Sequence, residues 1–247
     1  MGKLWWVLGI AAFTSSACGE SETGSNDGNG GDATGGGDDG TDGSSGGSTD
    51  PAPHGSNITA VSIEIDYARG AAPDVSGGLG GPSPFDLSQS NLERLFSGKE
   101  LTLPRTLAAM EELTDVGEGP YSGDDILKIV AAHRDEESSD TTASYYVLWL
   151  DGYYRDPETE METRTVLGIS LNGTSVVALF KPVIESASGG LLGSDSSYVE
   201  QTVLIHELGH AAGLVDNGLA LQSAHRDEEH GKHCNNPDCV MYYLNEG

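Results

Sequence analysis

"LIHELGHAAGLVD", residues 204–216, sets two histidines four positions apart with a glutamate beside the first, then a glycine and an aspartate. Read as a helix, His206 and His210 stand one turn apart on one face, with about 6 Å between their Cβ atoms. Two imidazole nitrogens so spaced can reach a single metal ion at about 2.0–2.1 Å each. Glu207 lies roughly 100° round the helix from His206, near enough to act on a metal-bound water without ligating the metal. Leu204, Leu208, Ala211 and Ala212 form the opposite face and are expected to bury against a sheet. Gly209 and Gly213 each cost a helix about 1 kcal/mol relative to alanine. Gly213 is accounted for as a helix stop with positive φ, turning the chain back and bringing Asp216 round as third ligand.

Outward from this helix, period and turn chemistry predict a mixed domain. Residues 58–67, "ITAVSIEIDY", alternate apolar and polar side chains and read as a strand, and 144–150, "SYYVLWL", as a buried one. Residues 165–180 read as two strands joined at Asn172–Gly173. Helices are expected over 86–98 and 122–135, the second opened by Ser122. The motif helix is expected to begin near Ser197, whose spacing to Glu200 suggests a capping box. Strands mixed with helices ahead of one motif-bearing helix indicate an α/β (α+β) domain with a twisted mixed sheet.

The chain has 247 residues and carries 39 Asp and Glu against 12 Lys and Arg, a net charge of −27. Nothing in that balance can neutralise a run of phosphates, which excludes a nucleic-acid partner, and it equally opposes docking on an anionic membrane. Residues 1–17 have a short basic start at Lys3 and an apolar stretch over 4–13, the size of a secretion-signal core and too short for a spanning helix. The small residues leading to Cys18 resemble a bacterial lipoprotein cleavage site, although Ser15 stands where leucine is usual. That resemblance makes Cys18 the lipidated first residue and implies an outer-membrane or surface lipoprotein. Cleavage near Ala17 by an ordinary signal peptidase leaves a secreted or periplasmic protein instead. Residues 18–57 hold eight carboxylates and no Lys or Arg, and read as a disordered tether of roughly 35 Å root-mean-square reach. A compact domain is expected over 58–247, and membrane contact only through the lipid.

The extended pattern H-E-x-x-H-x-x-G-x-x-D resembles the signature of the metzincin clan of zinc metallopeptidases, and the whole is similar to small bacterial lipoprotein metallopeptidases of that kind. The resemblance implies one catalytic Zn²⁺ on His206, His210 and Asp216, Glu207 as general base, and a peptide or protein as substrate. It makes Met241, in "DCVMYY", the methionine of a tight turn beneath the metal, and Tyr243 a helper at the developing oxyanion. It also implies that an extended substrate pairs with the edge strand "VLGIS", residues 166–170. Three departures stand out. His225, His230 and His233 are alternatives to Asp216 as third ligand, His225 first among them, against the plainer reading of each as a solvated loop residue. Only four residues follow Tyr243, so the part below the cleft is expected to be short and loop-like. Cys234 and Cys239 resemble the C-x4-C of archaemetzincins, without the further cysteines that hold a second zinc there; in an oxidising compartment they are expected as a disulfide. The competing reading is a non-catalytic lipoprotein binding module with a structural zinc closed by four protein ligands.

Overall fold

The structure, a computed structural model, describes residues 55–77, 81–188, 196–215, 217–221 and 223–243. The signal segment, Cys18, most of the tether and Asp216 lie outside the described residues. Among those described, no helix is long and apolar enough to cross a membrane.

The architecture is α+β. Strands β1 (Ala60–Ala68), β2 (Glu100–Thr102), β3 (Glu111–Leu113), β5 (Thr142–Leu150), β8 (Gly168–Ser170) and β9 (Val176–Phe180) form the main twisted sheet. Its order is β2-β1-β5-β9-β8, with β3 beside β2 on the same edge of β1; all pairs are parallel except β8 on β9. Alternation in β1 turns Val61, Ile63 and Ile65 inward. The central strand β5 is apolar or aromatic on both faces and buried from Ala143 to its end, as a parallel strand covered on both sides must be. The hairpin expected at Asn172–Gly173 joins β8 to β9, with Gly173 at φ +73°.

Helices α1 (Phe85–Leu95) and α3 (Lys181–Ser188) pack on α4 (Ser196–Ala211), which also lies against β8 and β9. Helix α2 (Gly123–His133) carries a complete capping box between Ser122 and Asp125. A second sheet of β4 (Gly119–Tyr121), β6 (Gly152–Arg155) and β7 (Glu162–Thr163) was not foreseen from the sequence.

The capping box expected at Ser197 and Glu200 is replaced by a nonlocal arrangement. Glu200 is fully buried and accepts hydrogen bonds from Lys181 at 2.6 Å and from the Asp74 backbone N–H at 2.9 Å. Lys181 also reaches Asp74 at 3.0 Å. A carboxylate this deep is tolerable only when its lone pairs are met by charge and N–H donors. Here they tie α4 to the start of α3 and to the loop after β1.

Candidate metal centre

Helix α4 is buried almost all round, including every residue over 203–210. Leu204 and Leu208 are inaccessible, as the apolar face required. Close approach of edge strand β8 explains why Glu207 is buried too. A Cβ on Gly168 would stand 2.8 Å from Val203 Cγ1 and 3.0 Å from Glu207 Cγ, so only glycine lets β8 lie this close to the motif glutamate. The helix then ends as predicted. Gly213 sits at φ +91°, with Gly213 N–H on the His210 carbonyl and Leu214 N–H on the Gly209 carbonyl, a Schellman closure.

Beyond the stop, the described residues of 214–243 form loop held by isolated bridges and one small apolar cluster of Val215, Cys234 and Met241. Asp227 N–H on the His233 carbonyl, Asn235 N–H on the His225 carbonyl and the Arg226–Cys234 bridge fold the segment into a narrow antiparallel pair. Cys234 N–H on the Met241 carbonyl closes the stretch after it. Met241 is 2 % exposed and lies beneath the helix, where a Cβ on Gly209 would stand 2.5 Å from its Sδ. That contact supplies the reason for Gly209 that the sequence left open.

This path places His233 beside the helical pair. His206, His210 and His233 are all buried, and their ligand atoms lie within 4.8 Å of one another. The His206 and His210 Nε2 atoms are 3.1 Å apart, close to the roughly 3.3 Å that two nitrogens show on one tetrahedral zinc at 2.0–2.1 Å. The protonation pattern suits ligation. His206 Nδ1 is 2.7 Å from the Val240 carbonyl and His233 Nδ1 is 2.6 Å from the His230 carbonyl. A carbonyl only accepts, so both Nδ1 atoms carry hydrogen and Nε2 of each keeps its lone pair for a metal. With two such lone pairs and the buried His210 ring converging on one point, the residues fit Zn²⁺.

Among the described residues it is His233 that joins the helical pair, where the sequence reading put Asp216 or, first among the histidines, His225. Asp216 lies outside the described residues. His225 turns its ring to Ser223, with Nδ1 donating to the Ser223 carbonyl at 2.9 Å. His230 pairs with Asp227 at 2.8 Å and supplies only its carbonyl to the centre. Tyr243 stacks face to face on His230, ring centroids 3.5 Å apart. The two cysteines, expected as a disulfide, both lie in the small cluster with Met241. A usable signal for His233 was present in the sequence: it directly precedes the Cys234-to-Met241 stretch. Once Met241 must lie under the helix, the residue opening that closed loop is brought beside His206 and His210.

Beside His210, between the turn after β8 and the end of α4, lies a cavity of about 170 Å³ bounded by Tyr145, Ser170, Leu171, Thr174 and Asn217.

No family model and no curated protein matches the chain. Among solved structures, a zinc-dependent peptidase from Methanocorpusculum labreanum is similar at 14% identity with a TM-score of 0.40, over 73% of this chain and 87% of that one. A likeness at that level says nothing of chemistry, which rests on the residues themselves.

Proposed function

We propose that the chain is a zinc-dependent endopeptidase of metzincin type, with His206, His210 and His233 holding one Zn²⁺ and Glu207 as general base and acid. The convergence of three buried imidazoles, two of them oriented by main-chain carbonyls, with the motif glutamate beside them, carries this reading. When bound, the metal supplies a Lewis acid that acidifies water and polarises a carbonyl. Glu207, buried at the edge of the cleft, takes the proton from the attacking water and returns it to the leaving amine, a contribution typically of 10²–10⁴ in rate. Burial of Glu207 beneath β8 keeps competing water from it. The free edge of β8 offers main-chain groups to an extended peptide, and Tyr243 is assigned to the developing oxyanion. Export, a lipid on Cys18 and the acidic tether would hold the domain clear of a membrane surface.

Glu207 in the base position favours catalysis over a structural zinc closed by four protein ligands. The deciding experiment is Glu207→Gln in the zinc-loaded protein. It is expected to keep one zinc per chain and to lose about 10³-fold in peptide cleavage. Undiminished cleavage with zinc retained would overturn the mechanism.

A further inference from the structure

At the end of β8 three segments meet beside the metal centre. Lys232 Nζ donates to Asn217 Oδ1 and stands 3.5 Å from Asn172 Oδ1, at the tip of the edge hairpin. Asn217 Nδ2 in turn donates to the His210 carbonyl at 2.8 Å. Lys232 immediately precedes the ligand His233, so its Cα is about 3.8 Å from that of the ligand. Lys128 and Lys181 are held by carboxylates, and Lys99 donates to the Ile58 carbonyl. The Lys232 ammonium is exposed, and among the described residues it rests on two neutral carboxamide oxygens and no carboxylate. In a chain of net charge −27, an exposed cation beside His233 with no carboxylate partner among the described residues is open to an anion from elsewhere. The cavity bounded by Asn217 and Thr174 adjoins it, and among its described lining residues the ionisable groups are His210 and the Tyr145 phenol. Desolvation would exclude a charged side chain from that space.

We propose that Lys232 is a specificity residue binding a substrate carboxylate at this end of the cleft, with an uncharged neighbouring side chain in the cavity. The inference rests on the peptidase reading. An arriving carboxylate exchanges the Asn oxygens for a charge-assisted bond. The rest of the surface repels the same group, so the peptide is fixed in one register relative to His233. A C-terminal α-carboxylate and an Asp or Glu side chain share this chemistry.

The test uses an acetylated hexapeptide library of uncharged residues in three versions: free C-terminal carboxylate, C-terminal amide, and amide with one internal Glu. On the zinc-loaded full chain, one acidic version is expected to exceed the plain amide about three- to tenfold in kcat/KM. Whichever acidic version gains identifies the source of the carboxylate. Lys232→Met should erase the preference, Lys232→Arg should keep it, and both should retain one zinc per chain. Equal turnover of all versions, or a preference that survives Lys232→Met, overturns the proposal. If no version is cleaved, the peptidase reading fails by itself. The carboxylate preference is then read from binding of the same three versions to zinc-loaded Glu207→Gln protein, where equal affinity overturns it.

Discussion

Helix α4 and the loop that follows it together bring in the three histidines of the candidate centre but are held in opposite ways. The helix is surrounded by α1, α3, β8 and β9 and belongs to the large core that includes β1 and β5. The loop over 214–243 has an apolar cluster with three buried members, Val215, Cys234 and Met241. Val215 is held at φ +53°, a costly conformation for a β-branched residue. Local stability follows buried apolar contact, so the sheet and helix form a rigid jaw, and the proposed zinc would be a main tie of the loop. Two of the three histidines come from the stable side and one from the weak side.

The largest effect that would break this contrast is expected at His233. His233→Ala should lose zinc and at least 10²-fold in cleavage, whereas His225→Ala should keep both. Removing zinc by chelation should speed amide exchange through 217–243 and leave β1 and β5 protected. Zinc retained by His233→Ala, or equal loosening of sheet and loop, would refute the division.

A smaller effect belongs to the sheet alone. Asp66 on β1 is buried, which with Glu64 and Glu111 nearby raises its pKa to about 6, against the hydrogen bond from Tyr146 at 2.6 Å. The folded chain thus binds this proton more tightly than the unfolded one. Stability is full below the unfolded value near 3.8 and falls as pH rises to about 6, a loss of roughly 3 kcal/mol. Asp66→Asn should therefore match wild type at pH 4 and exceed it in Tm at pH 8 by several degrees. A variant no more stable at pH 8 would contradict the assignment.

The smallest expected effect sharpens the boundary between the two regions. Gly209→Ala improves helix propensity by about 1 kcal/mol but drives a Cβ against Met241 Sδ, for a net loss of about 1 kcal/mol. With Met241→Ala in place the penalty should vanish, a coupling visible in a double-mutant cycle. Strict additivity would place Met241 away from the helix.

What was legible in the chain was what repeats over short distances. The period of β1, the apolar run of β5, the Asn172–Gly173 turn and the i, i+4 histidines each state their geometry within a few residues. The second sheet was not legible, because β4 and β7 are three and two residues long and show no period. Glu200 was misread as a cap because its partner Lys181 lies 19 positions away.

The sequence alone determined the mixed fold, the helical histidine pair and the glutamate beside it, since helix geometry converts spacing directly into direction. Tertiary structure alone decided which histidine of the described loop lies beside that pair. Past Gly213 the path depends on where Met241 and Cys234 find apolar contact beneath the helix, and on Gly168 letting the edge strand close over Glu207. Such contacts join residues far apart in the chain, and no local pattern encodes them.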